Sequence, residues 1–168
     1  MKKLVLVLIP VLVLIFAFKG KKENPEKAEI KNVLNTFMDC IIKKDSVRFY
    51  NLFHKDPVVW VGVSKPKTYQ DDLKKNSADK GYFSSNYKQF CRSICDTNTY
   101  EEKFYNIEIS SDEGIAAVTF DYSFWENQKK INWGKESWAL VKINGQWKIT
   151  SVIFSLEMED VAAEPARK

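Results

Sequence analysis

In the last third of the chain, apolar and polar positions alternate in four successive runs, each closed by a turn. Phe104–Ser110 places Phe104, Asn106 and Glu108 on one side and Tyr105, Ile107 and Ile109 on the other. This is the period of a strand with one buried face. Ser111-Asp112-Glu113-Gly114 supplies turn chemistry. Ile115–Trp125, rich in β-branched and aromatic residues, predicts a second strand. Glu126–Lys130 is a polar connection, and Trp133–Ile143 predicts the third strand. Asn144-Gly145 is a hairpin signal, because a type I′ turn needs positive φ at both central residues. Gln146–Leu156 predicts the fourth. Such short connections impose antiparallel order, since a parallel pair needs a long crossover.

Upstream the period changes. Ile30, Val33, Leu34, Phe37, Met38 and Ile41 recur at helical spacing, with Asn24 as cap, Pro25 at the first position and Lys43-Lys44 at the end. Asp45 or Ser46 caps a short second helix carrying Val47, Tyr50 and Phe53, which Asp56-Pro57 ends. Val58–Val63 predicts a strand centred on Trp60. Thr68 is then placed as the cap of a helix through Lys75, and Ser84 or Ser85 as the cap of another carrying Tyr87, Phe90, Cys91, Ile94 and Cys95. The break between them falls at Asn76–Gly81.

The first twenty residues follow a different logic. Lys2-Lys3 and the apolar run Leu4–Phe18 have the form of an export signal. Residues 16–20 make a poor cleavage site, and the run is short of the roughly 20 apolar residues of a full span. A cleaved signal peptide is expected, with a retained N-terminal anchor as the alternative. The expected organisation is a signal or anchor over residues 1–20 and a polar linker over 21–27. One domain over 28–158 and a disordered acidic tail over 159–168 follow. The expected location is periplasmic or secreted, with membrane contact only through residues 1–20 if they are kept. The 168 residues are 45% hydrophobic and 14% aromatic, enough for a sizeable core. The formal charge of +4 owes much to Lys2, Lys3 and Lys19, and the other lysines are scattered in pairs. Without a concentrated basic face, no nucleic-acid partner is expected.

The order of long helix, short helix, strand, helical segment and four antiparallel strands resembles the nuclear transport factor 2-like superfamily, in its SnoaL-like and ketosteroid-isomerase-like branch. Lys43-Lys44-Asp45 resembles that family's turn after its first helix. Leu52-Phe53 with Asp56-Pro57-Val58-Val59 resembles the approach to its first strand. Gly145-Gln146-Trp147-Lys148-Ile149 resembles its final hairpin. The resemblance spans about Glu26 to Leu156. It implies an α+β fold in which a cone-shaped, curved antiparallel sheet wraps around the long N-terminal helix, a cystatin-like roll with a pocket at its open end. The family includes isomerases, dehydratases and cyclases as well as non-catalytic binding and dimerising domains, so the fold alone does not decide function. Many relatives carry histidines on the last strand, where this chain has Ser151, Ile153 and Ser155. That departure weighs against catalysis.

Candidate chemistry is sparse. Asp121, a charged residue inside an apolar strand, is either a base on the concave face or part of a solvated face. Tyr50 or Tyr122 would be its hydrogen-bonding partner in an isomerase or dehydratase-type reaction. Glu136, two residues before Trp138, carries the same ambiguity. Phe37, Tyr50, Trp60, Asp121, Trp133, Ser137 and Ser151 are candidates for a pocket lining, with core filling as the alternative for each aromatic. His54, the single histidine, reads as a surface or capping residue. Cys40, Cys91 and Cys95 leave a disulfide open and lack a zinc-ligand spacing. No cofactor and no metal are expected. The leading expectation is non-catalytic binding of a small apolar or amphipathic ligand in the cone, homodimerisation through the sheet, or both. The alternatives are the Asp121 enzyme and a structural interaction module of the cell envelope.

Overall fold

The computed structural model describes residues 25–55 and 57–167. The export segment, Asn24 and Asp56 lie outside the described residues. Helix α1, Pro25–Lys43, starts inside the expected linker. It is followed by α2 (Ser46–Asn51), β1 (Val59–Ser64), α3 (Pro66–Lys75), β2 (Tyr82–Ser84) and α4 (Tyr87–Ser93). The chain then runs through β3 (Tyr100–Ser111), β4 (Ile115–Glu126), β5 (Lys129–Ile143) and β6 (Gln146–Met158).

The strands form one sheet in the order β2-β1-β6-β5-β4-β3. The four C-terminal strands are a run of antiparallel hairpins. At Asn144 and Gly145 φ is 50° and 75°, as a type I′ turn demands. Asn127 and Gln128 also have positive φ, 48° and 65°, so β4 and β5 meet in a two-residue turn where a longer connection is expected. The Asn127 side chain holds that turn by accepting from the Thr99 N–H at 3.0 Å. Strand β1 joins the other edge parallel to β6, an arrangement open to it because the long stretch between them serves as crossover.

Irregularities bend this sheet. The register shifts between Tyr105 and Glu108, between Phe124 and Trp125, and between Ala139 and Leu140. The first falls at Asn106, whose φ is 51°. Strict alternation puts Phe104 and Ile109 on opposite faces; the extra residue brings both against the core. Helix α1 fills the concave side with Ile30, Val33, Leu34, Phe37, Cys40 and Ile41, all buried. Each large apolar side chain removed from water in this way contributes about 1.5–3 kcal/mol. Phe37 sits at the centre, its ring centroid 4.8 Å from that of Trp138 and 5.0 Å from that of Phe49.

Three local expectations are corrected. Thr68 does not cap α3, which starts at Pro66 after Lys65. Its N–H and hydroxyl both donate to Glu157 Oε1, at 2.6 and 2.5 Å, and its Oγ1 accepts from the Met158 N–H at 2.8 Å. A carboxylate of β6 thus satisfies the first turn of α3. The cap of α4 is Asn86, which accepts from the Gln89 N–H, while Ser84 lies in β2, a strand too short to give a periodic signal. Residues 159–167, expected to be disordered, fold back over the sheet. Ala162 O accepts from Trp133 Nε1 at 2.9 Å, Glu164 pairs with Lys130 at 2.7 Å, and Arg167 stacks on the Tyr105 ring. All three cysteines are free thiols, Cys40 and Cys91 buried and Cys95 exposed.

Candidate functional site

Alternation along β4 builds the site. Val118, Phe120, Tyr122 and Phe124 face inward, and Thr119 and Asp121 face outward. Inward residues of β3, β5 and β6 join them around a cavity of about 350 Å³ beside α1. Its wall is aromatic, from Phe37, Trp60, Phe83, Phe90, Phe124 and Phe154. Phe83, Ser85, Gln89 and Ser93 contribute from β2, the loop after it and α4.

Two carboxyl groups stand in that wall. Glu102 from β3 is 5% exposed and Glu136 from β5 is 6% exposed. They are hydrogen-bonded to each other. Glu136 Oε2 also accepts from Trp138 Nε1 at 2.7 Å. Burial, then repulsion by Glu136, pushes the Glu102 carboxyl well above its ordinary range. Burial raises Glu136 to about 7, opposed by the bonds it accepts from Trp138 and Glu102. Two acids this close in a desolvated place cannot both ionise cheaply, so Glu102 keeps its proton and donates a hydrogen bond to Glu136. Among the described residues, Glu102 has no basic partner. Beside the pair, Tyr122 OH donates to Ser155 O at 3.2 Å. Burial and the nearby acids push its phenol well above the usual value. Gly134 lies opposite Tyr122 in the ladder, and its missing side chain leaves room for that ring: a Cβ there would stand 1.8 Å from Ser155 O.

A deep helix-backed cone of this topology recurs in solved structures. A candidate scytalone dehydratase from Novosphingobium aromaticivorans aligns with a TM-score of 0.59 at 16% identity, over 84% of this chain and 89% of its own. A protein of unknown function from Mycobacterium tuberculosis aligns at 0.57 and 13% identity, over 84% and 82%. A nuclear transport factor 2-like protein from Cytophaga hutchinsonii aligns at 0.57 and 10% identity, over 80% and 100%. This chain has the nuclear transport factor 2-like fold. No family model and no curated protein matches the sequence.

Within the nuclear transport factor 2-like cone, the expected site residues divide sharply. Phe37 and Trp60 line the cavity. Asp121 does not: it sits on the outer face, 2.9 Å from Lys135 and accepting from Asn106 Nδ2 at 2.8 Å. The Asn106 bond, then Lys135, holds its carboxyl below the usual range, the reverse of what a base in the cone would need. Trp133 is also outside, under the Lys65 ammonium 3.9 Å from its ring centroid. Ser137 lines an outer groove with Thr119 and Ile153, and Ser151 alternates with buried Val152. Tyr50 packs on Tyr87 at 5.8 Å, off the cavity wall. His54 uses its backbone N–H on Ile149 O where α2 gives way to β1.

Glu102 is the residue that sequence reasoning missed. A first strand starting at Phe104 leaves it in a loop, yet Tyr100, Glu102 and Phe104 continue one alternation. Glu136 was visible beside Trp138, and the fold brings it to Glu102 from two strands away. No group of three or more His, Cys, Asp or Glu side chains among the described residues is arranged to hold a metal ion.

Proposed function

We propose that the cone is a binding site for one small, largely apolar ligand whose polar group is received by Glu102 and Glu136. The observation that carries this reading is the pair itself, buried in a hollow that is otherwise aromatic. Withdrawing two carboxyls from water costs several kcal/mol, which apolar residues at the same positions would avoid. A hollow of about 350 Å³ with apolar walls and a few convergent polar groups has the size and composition of a small-molecule pocket. Thermal-shift titration with a panel of hexyl to decyl alcohols, ketones and amines tests it. Saturable stabilisation is expected, and Ser93→Trp at the cavity wall should weaken it. A full panel without effect would end the reading.

A second reading adds proton transfer to binding. It is favoured by Glu136, whose value of about 7 suits a group that gives and takes a proton near neutrality. Two proteins of similar fold are candidate dehydratases. The acid–base role considered for Asp121 passes here to the glutamate pair. Deuterium exchange next to the carbonyl of a bound ketone, followed by NMR, would report it. An exchange rate equal to that in buffer alone, or unchanged by Glu136→Gln, would leave binding as the whole function.

The outer face supports a further part of this reading. Val59, Val63 and Ile153 are 50%, 47% and 46% exposed there, next to the short side chains of Ser137 and Ser151. We take this face as the contact between two copies of the chain. The leading segment makes the periplasm or the exterior the compartment where ligand is met. A reporter enzyme fused after residue 24 would have to be exported for that to hold.

A further inference from the structure

We propose that the ligand of the cone is a cation: a hydrophobic amine whose ammonium group sits between Glu102 and Glu136 while its hydrocarbon part fills the aromatic hollow. This rests on the binding reading above and narrows it to one chemical class.

The first argument is the charge inventory of the wall. Glu102 and Glu136 are the ionisable groups of low intrinsic pKa in it, and it contains no lysine, arginine or histidine. Glu102 is 5% exposed and lines the cavity, and among the described residues its carboxyl meets only that of Glu136. A buried acid with no cation and no N–H donor of its own is an unfilled place for positive charge. An anionic ligand would add a third negative group to this corner. An alcohol or ketone could make a hydrogen bond there but would leave the acids uncompensated. An ammonium brings one positive charge and up to three donors to the carboxyl oxygens that remain. At carboxyls as buried as these, that attraction is stronger than at a surface.

The second argument is the remainder of the wall. Phe37, Trp60, Phe90, Phe124 and Phe154 surround the same hollow. Aromatic rings attract cations through their quadrupole, and desolvated sites for alkylammonium groups use such rings. The combination of rings and paired acids is therefore selective where rings alone would take any apolar molecule. The charge state of the pair agrees. The proton shared by the two acids substitutes for a missing counter-ion, and an arriving ammonium displaces it. Binding near neutral pH should then release a proton to solvent.

Three probes of nearly equal shape separate the outcomes: 2-phenylethylamine, 2-phenylethanol and phenylacetate. Calorimetric titration of the full chain at pH 7, in two buffers of different ionisation enthalpy, reads affinity and proton release together. The amine should bind at least tenfold more tightly than the alcohol, with proton release, and phenylacetate should not bind. Glu136→Gln should lower amine affinity by about tenfold. Glu102→Gln provides the same readout should the first variant fail to fold. An alcohol bound as tightly as the amine, or amine binding without proton release, would overturn the cation inference and leave the binding reading standing. No binding by any of the three would overturn both.

Discussion

Glu136 ties a single side chain to the stability of the whole chain. Its pKa rises from an ordinary 4.5 to about 7 on folding, and Glu102 is raised with it. The folded chain therefore holds protons that the unfolded chain has lost between about pH 4.5 and 7. The stability that this pair contributes is fully present below the ordinary carboxylate value and is lost as pH rises through this window, by on the order of 3 kcal/mol for the Glu136 shift alone. Urea unfolding at pH 5 and pH 7.5 should show that loss, and Glu136→Gln should make it smaller, leaving the share that burial of Glu102 contributes. A wild-type midpoint independent of pH in this range would contradict the paired-acid description. Gly134 makes a second residue-level point. A methyl group there meets the Ser155 carbonyl, which is backbone and cannot swing aside. Gly134→Ala should cost about 1–3 kcal/mol and displace Tyr122 from its bond, read in the same unfolding experiment.

Single elements show what periodicity can and cannot carry. The α1 stripe was legible because Ile30, Val33, Leu34, Phe37 and Ile41, all buried, repeat at helical spacing, and the four hairpin strands because their turns are marked by Asn, Gly and Asp. The bulge at Asn106 was not legible: one inserted residue reverses the face of everything after it without changing the composition of the strand. The start of α3 was misassigned for another reason. Its partner Glu157 lies 89 residues away, and only the fold brings the two together. Thr68→Val keeps the shape but removes the hydroxyl that Glu157 and Met158 both use. It should cost about 1–3 kcal/mol by urea unfolding, and Thr68→Ser should recover most of that. Equal losses in the two variants would mean that packing, not the hydroxyl, holds α3 to β6.

At the scale of the molecule, the sheet has two faces with different duties, and this decided how much of the site could be read in advance. The inward face of β4 was correctly separable from the outward one by alternation, which left Asp121 ambiguous only in which face was concave. Glu102 and Glu136 become a site only because β3, β4 and β5 are adjacent, a fact of topology that no local window contains. The outward face makes its own prediction. If two copies meet over Val63 and Ile153, light scattering behind a sizing column should give twice the chain mass, and Ile153→Lys should halve it. The cavity lies on the other side of the sheet, so ligand stabilisation should survive that substitution. A wild-type chain of single mass would remove the contact between copies without touching the cone.

The bond from Trp138 to Glu136 also has a spectroscopic meaning. An indole N–H held against a group that changes charge near neutrality should shift its absorption and emission as that charge appears, so the fold contains its own optical indicator. Four other tryptophans add a constant background, which a difference spectrum against Trp138→Phe removes. The proton inventory of the cone should then be visible in the untagged protein, with no dye and no label.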